Sequence, residues 1–304
     1  MALLKMQHRK KEYIKSPLNY TGGKYKLLSQ IEPLFPKKID TFVDLFAGGC
    51  NVAINAKANK VVANDINSEI IQLYDYFSSN NSDKVISKVD SIICKYGLSD
   101  TSKYGYVHYS CTSNSGVSKY NKEAYSKLRS DYNKNKTPLL FYVTLVFAFN
   151  NQIRFNSRGE FNTPVNKRDF NKNMRKNLKL FIDELNQKEI RFYSDDFNNI
   201  EIDDNSFVYI DPPYLATIAS YNENGGWNED KEMELLSYID GLNKRGIKFS
   251  LSNVFENKGK SNNILREWSA DYNVHSLNFS YNNCNYQSKD KTKNTTSEIL
   301  ITNY

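Results

Sequence analysis

Cysteine is scarce and scattered. Cys50, Cys94, Cys111 and Cys284 are the only four in 304 residues. None has a zinc-binding spacing, and four are too few to staple a chain this long. A reducing, cytoplasmic setting is therefore expected, with these thiols as inert packing residues. No run of about 18 apolar residues occurs, which excludes a membrane-spanning helix, and the chain reads as soluble. Met1 to Lys15 carries Lys5, Arg9, Lys10 and Lys11 but no apolar stretch before a small-residue cleavage site, so no export signal is read. The three histidines, His8, His108 and His275, share no spacing that suggests a metal site, and none is expected. No internal repeat is visible.

What the chain has is cation and aromatic surface. Lys and Arg number 41 against 34 Asp and Glu, for a net charge of +7, beside 22 tyrosines and 17 phenylalanines. That combination suits a surface that neutralises phosphates and stacks on bases. A Lys-, Asn-, Ile- and Tyr-rich codon bias would produce it equally well.

The length fits one large domain, or a main domain carrying a smaller one. Thr41-Phe42-Val43-Asp44-Leu45-Phe46 reads as a strand that ends at the glycines Gly48 and Gly49, with a helix from Asn51 to Ala58. Val61 to Asp65 is the next strand, and Ser68 to Phe77 the next amphipathic helix. Such alternation predicts an α/β fold with a parallel sheet, ligands binding at the carboxyl ends of its strands. From about Ser78 to Arg168 the alternation is lost, and an inserted smaller domain is expected there. It would hold a helix near Lys122 to Tyr132 and a buried helix within Pro138 to Phe149. The pattern resumes with Leu178 to Leu185, Phe207 to Asp211, Lys248 to Asn253 and Ser297 to Tyr304. The division is 1–77, 78–168 and 169–304.

Three elements carry chemistry. Asp211-Pro212-Pro213-Tyr214 follows the hydrophobic strand Phe207 to Ile210. A carboxylate, two prolines that fix the backbone and remove its donors, and an aromatic ring make a rigid acceptor-only clamp beside a stacking face. It suits a planar ring with an exocyclic amine, which would donate to Asp211 and to the Pro212 carbonyl while Tyr214 stacks. Asp44-Leu45-Phe46-Ala47-Gly48-Gly49, with Asp65 about twenty residues on, suits a nucleoside: glycines admit the ligand, and Asp65 can hold ribose hydroxyls. The glycine pattern is incomplete for a dinucleotide, so S-adenosylmethionine fits better. Tyr20-Thr21-Gly22-Gly23-Lys24 adds an aromatic face, a flexible glycine pair and a cation suited to a carboxylate.

In this order the three elements resemble the Dam-type (D12 class, α-group) DNA adenine-N6 methyltransferases, over nearly the whole chain. The resemblance implies a Rossmann-like methyltransferase sheet with an inserted, mainly helical target-recognition domain. It implies S-adenosylmethionine as cofactor, with Tyr20 and Lys24 on its methionine part, Asp44, Phe46 and Gly48 in the cofactor turn, Asp65 on the ribose and Asp196 with Phe197 at the adenine. Asp211 would sit between cofactor and target base. Phe149-Asn150-Asn151-Gln152-Ile153-Arg154-Phe155-Asn156 looks like the family's DNA-contacting hairpin, with Arg154 in the place of a guanine-reading arginine. Double-stranded DNA is the implied partner, and a cognate restriction endonuclease a further one.

Two positions depart from the family pattern. Cys50 stands where a further glycine is usual, and Asn151-Gln152 replaces Gly-Leu. Outside the motifs, Ala216 to Asp230, containing Tyr221 and Gly225-Gly226-Trp227, is expected to close over a flipped base. The basic loop of Lys289, Lys291 and Lys293 is a candidate phosphate contact. Cytosine-N4 methylation presents the same amine chemistry, although Asp rather than Ser at 211 favours adenine. A catalytically silent DNA-binding protein with this fold, and methylation of RNA or protein, are further readings that the sequence leaves open. Cytosine-C5 chemistry is set aside because no Pro-Cys pair exists.

Overall fold

Runs of β-branched and aromatic residues form the parallel core of one sheet: β1 (Thr41–Asp44), β2 (Lys60–Asn64), β3 (Glu189–Tyr193), β4 (Ser206–Ile210) and β5 (Lys248–Val254). The computed structural model describes residues 12–217, 226–257, 259–278 and 297–304. After a short hairpin of β6 (Glu256–Asn257) and β7 (Lys260–Ser261), two further strands complete the main sheet, β8 (Asn273–Leu277) and β9 (Glu298–Thr302). The order is β3-β2-β1-β4-β5-β9-β8, with β9 antiparallel to both neighbours. From β1 the order runs outward one way to β2 and β3 and the other way to β4 and β5. The connections leaving β1 and β4 therefore diverge and open a crevice at the carboxyl edge.

Both faces of the sheet are covered, as a parallel sheet requires. Side chains alternate across it: Phe42, Phe207 and Tyr209 enter one core, Val43, Val208 and Ile210 the other. The helices are α1 (Leu28–Ile31), α2 (Ser68–Ser78), α3 (Ser82–Tyr96), α4 (Thr101–Tyr104), α5 (Ser118–Lys134), α6 (Pro138–Val146), α7 (Lys172–Leu185), α8 (Glu229–Lys244) and α9 (Asn263–Trp268). Asparagine serves repeatedly as their N-cap: Asn67, Asn81 and Asn171 each accept two backbone N–H bonds at the start of α2, α3 and α7. α8 and α9 supply Leu235, Leu236, Ile239, Leu242 and Leu265 to the second core.

Residues 78–168 hold α3 to α6 and an irregular hairpin, and their apolar side chains belong to the same core as the first sheet face. Phe141, Tyr142, Val146 and Phe147 join Phe77 and Phe207 in one cluster, with the Phe77 and Tyr142 rings edge to face at 5.5 Å.

Several expectations are refined. The strand read as Thr41 to Phe46 stops at Asp44, and Leu178 to Leu185 is the second half of α7. The helix expected over Asn51 to Ala58 is only a 3-10 turn, Ala53–Asn55. Cys50 takes a left-handed φ of 56°, and the Asn51 and Asn55 side-chain oxygens accept the N–H groups of Ser16 and Ile14 at 3.1 and 2.8 Å. These bonds tie the segment to the N-terminal stretch instead of to a helix, and Ala56 is already extended. β3, α3 and α8 were not read from the sequence. β3 is an edge strand in which only alternate residues are sheltered, and α3 buries a narrow stripe, Val85, Val89 and Ile93.

Because insert and sheet share one core, Phe77→Ala should cost about 3–5 kcal/mol and still unfold in one calorimetric transition. Two separated transitions would show independent domains.

Candidate active site

Every strand that ends at the crevice delivers a polar residue to it. Asp44 is the last residue of β1 and is 1% exposed. Its Oδ2 accepts the Ala53 N–H at 3.1 Å, while Oδ1, equally buried, has no hydrogen-bond partner among the described residues. Burial, reinforced by the charge of Asp211, pushes its pKa well above the usual carboxylate range. Beyond it the chain turns sharply, with Ala47 N–H donating to Asn64 O at 2.7 Å and Cys50 N–H to Ala47 O at 2.6 Å.

Gly48 has a φ of 46°, and a Cβ there would lie 2.8 and 2.9 Å from ring carbons of Tyr20, so only glycine allows Tyr20 to close on the turn. Cys50, also left-handed, shows why glycine suits that place: a non-glycine residue there bears a strain of about 1–2 kcal/mol.

Asp65, just past β2, accepts the Gly48 N–H through Oδ2 at 2.8 Å and the Asn67 N–H through Oδ1 at 2.9 Å. It thereby sets the glycine turn; burial raises its pKa and those two bonds oppose the rise. Asn64 donates to Leu45 O and Asp195 O, both at 3.1 Å, and binds the ends of β1, β2 and β3 together.

At the end of β4, Asp211 faces Lys24. The ammonium lies 2.8 Å from Asp211 Oδ1, donates to Gly22 O at 2.9 Å and stands 4.9 Å from the centre of the Tyr214 ring. Lys24 is 3% exposed, so the pair is held largely out of water. The Tyr214 hydroxyl lies 2.9 Å from Asp211 Oδ1 and 3.0 Å from Glu298 Oε2. Burial raises the Asp211 pKa, and Lys24 acts against that rise. Pro212 is buried and Pro213 exposed, so the clamp is anchored at its first proline.

An aromatic wall closes the neighbouring side. Phe197 is buried against Phe46 at 5.5 Å and beside Trp227 at 6.5 Å; the Trp227 ring meets Phe46 edge-on at 5.9 Å. Asp196 caps the short turn of Phe197 by accepting the Asn198 N–H at 3.1 Å, and its other oxygen lies 3.6 Å from Lys231. Trp227 is fixed by its indole N–H, which donates to the buried Glu232. Asn262 donates to the same carboxylate at 2.6 Å.

The hairpin emerges close by. Bridges at Ala148–Val165 and Phe155–Phe161 pair its arms. Arg154 donates from Nε to Asn162 Oδ1 at 2.6 Å and from Nη2 to Asn162 O at 3.0 Å, which orients its guanidinium across the arms. Asn150 and Asn151 both have φ 53°, the left-handed region that asparagine tolerates best after glycine, which accounts for Asn at 151 where Gly is usual. The Asn151 amide donates to Leu145 O and Val146 O, and Asn156 holds the hairpin tip by accepting from Arg158 and Glu160. Gln152 accepts the Thr163 hydroxyl on its carbonyl at 3.0 Å. Asn19 donates to Asn150 O at 2.9 Å, so the hairpin root touches the segment that carries Tyr20 and Lys24.

The fold thus gathers Tyr20, Lys24, Asp44, Phe46, Gly48, Asp65, Asp196, Phe197 and Asp211 to Tyr214 at one edge. Tyr221, Lys289, Lys291 and Lys293 lie outside the described residues. Glu298 and Glu232 were not read as site residues, and Trp227 was read only within the segment expected to close over a flipped base. For Glu298 the signal was a carboxylate heading the apolar strand Ile299 to Ile301.

Several known proteins are similar to this chain. The type II methyltransferase M.FokI of Planomicrobium okeanokoites is 43% identical over 307 residues, covering 98% of this chain and 44% of that protein. Modification methylase StsI of Streptococcus sanguinis is 44% identical over 97% of this chain and 43% of its own length. The chain spans less than half the length of these two relatives. A DNA adenine methylase of Escherichia coli K12 is 25% identical over 85% of both chains. Residues 20–283 match one family throughout, and with the sheet order and the Asp211 clamp in place the chain belongs to the D12 class N6 adenine-specific DNA methyltransferases.

Proposed function

We propose that this chain transfers a methyl group from S-adenosylmethionine to adenine N6 within a short specific sequence of double-stranded DNA. The observation that carries the reading is the Asp211 clamp at the end of β4, held by the buried Lys24 beside the Asp44 and Asp65 rim. The residues fit the cofactor: Asp44 Oδ1 is a buried acceptor lacking a donor, Asp65 shapes the glycine turn, and Phe46, Phe197 and Trp227 offer apolar faces for an adenine. Asp44 lies within electrostatic reach of Asp65, Asp211 and Lys24, three carboxyls to one cation, an excess of acidic groups that suits a cationic ligand. When bound, S-adenosylmethionine supplies a sulfonium methyl as electrophile.

The chain's own residues do the rest. Asp211 and the Pro212 carbonyl accept hydrogen bonds from the target amine, direct its lone pair at the methyl and favour positive charge building on nitrogen. Tyr214 offers the stacking face. No such clamp reaches an amine inside a duplex, so the base must leave the stack at a cost of a few kcal/mol. Arg154, fixed by Asn162, reads a guanine edge with its remaining donors. The cytoplasm is the compartment of such an enzyme, and a cognate restriction endonuclease its natural companion. Incubation with labelled cofactor and plasmid DNA, followed by mapping, should place N6-methyladenine at one sequence. Label on cytosine N4, or none, would defeat the reading.

Three further outcomes are expected. Asp211→Ala should lower turnover by orders of magnitude and leave duplex binding nearly intact, since phosphate contacts lie elsewhere; near-normal turnover would remove Asp211 from the chemistry. Asp211 must be ionised to accept from the amine, and burial raises its pKa, so activity should fall with acid already above pH 3.8, an ordinary aspartate's value. Lys24 opposes that rise, so Lys24→Met should move the acid limb of the kcat/KM profile to higher pH; an unmoved limb would count against Asp211 as the titrating group. Arg154→Ala should accept substitutions at a single base pair of the site, a loss of about 1–3 kcal/mol in discrimination. Equal loss on every site variant would instead make Arg154 a structural partner of Asn162.

A further inference from the structure

Tyr214 carries one hydroxyl proton and has two carboxylates within its reach. Asp211 Oδ1 lies at 2.9 Å and Glu298 Oε2 at 3.0 Å. A phenol donates a single hydrogen bond, so a proton given to one acceptor is withheld from the other. Asp211 Oδ1 already receives the Lys24 ammonium at 2.8 Å, and each additional donor drains charge from the carboxylate and weakens it as an acceptor.

Glu298 reaches this place by topology. It is the first residue of β9, is 2% exposed and pairs in register with Val254, the last residue of β5. Since β9 runs antiparallel to β5, its beginning lies at the carboxyl edge of the sheet, where the crevice opens. A glutamate at a fully buried strand end is costly unless it is hydrogen-bonded. The Tyr214 hydroxyl is one such bond, and it joins residues 84 apart in sequence. The neighbouring phenol, Tyr209, is engaged with Ser252 at 2.8 Å.

We propose that Glu298 is a positioning residue that takes the Tyr214 hydroxyl proton, leaving Asp211 its full acceptor strength for the target amine. The proposal rests on the adenine-N6 reading above. Glu298 touches neither cofactor nor base; it acts through Tyr214, and its bond also fixes the plane of the ring on which the base would stack.

The test is a double-mutant cycle on the full chain: wild type, Glu298→Gln, Tyr214→Phe and the pair. Glu298→Gln keeps the shape but replaces an anion by a weaker acceptor, so the phenol proton turns to Asp211. Single-turnover methyl transfer should then fall about tenfold, the worth of a redirected bond to a charged group, with the Kd for S-adenosylmethionine within about twofold of wild type. In the Tyr214→Phe background there is no proton to redirect, and adding Glu298→Gln should change the rate by less than about twofold. An equal fall in both backgrounds, including one caused by damaged packing, or no fall in either, overturns the proposal. Absence of methyl transfer in the wild type would strike the adenine-N6 reading instead, so the two failures are distinguishable.

Discussion

The site is organised around one buried contact, the Lys24 ammonium on Asp211. Removing either partner of such a pair strands a charge away from water, typically at about 3–5 kcal/mol. That requirement fixes the N-terminal segment against the end of β4. Tyr20 is thereby drawn over Gly48, where the absence of a side chain lets the ring approach, and Asp65 holds the Gly48 N–H from beneath. Glycine at 48 follows from the ion pair as much as from the turn itself.

Several carboxyls at and near the crevice are held against their own preference. Burial raises the pKa of Asp44, Asp65, Asp211 and Glu232. A carboxyl whose folded pKa exceeds its unfolded value stabilises the fold when protonated, and that contribution is lost as pH rises through the folded pKa. At neutral pH these residues oppose folding, and two well-filled cores on either face of the sheet offset them. Retaining ionisable groups at such a cost fits the proposed cationic ligand, as a place where a structure gives up stability for function.

Local signals made the centre of this site legible in the sequence. Asp211 to Tyr214 was readable because the apolar run Phe207 to Ile210 fixes a strand end before it, and Asp44 and Asp65 because each ends a strand of its own. Glu298 was not readable in the same way. Its position depends on β9 entering between β5 and β8 in the opposite direction, which no local pattern encodes. The turn after Cys50 failed for a related reason, since helix-compatible residues there are claimed by backbone groups of Ile14 and Ser16, far away in sequence. α3 was missed because its buried stripe is narrow and its other faces are polar.

The hairpin's amide side chains also have structural work within the chain. In a run rich in asparagine and glutamine, Asn151 closes the end of α6 and Asn156 holds the hairpin tip. Their amides shape the loop that presents Arg154. Asn19, one residue before Tyr20, donates to Asn150 O at the hairpin root. The stretch from Asn19 to Lys24 therefore meets the hairpin, the glycine turn and Asp211 in succession. The hairpin and the Asp211 pair are joined through six residues of backbone, and the hairpin root cannot shift far without straining the ion pair on which the site is built.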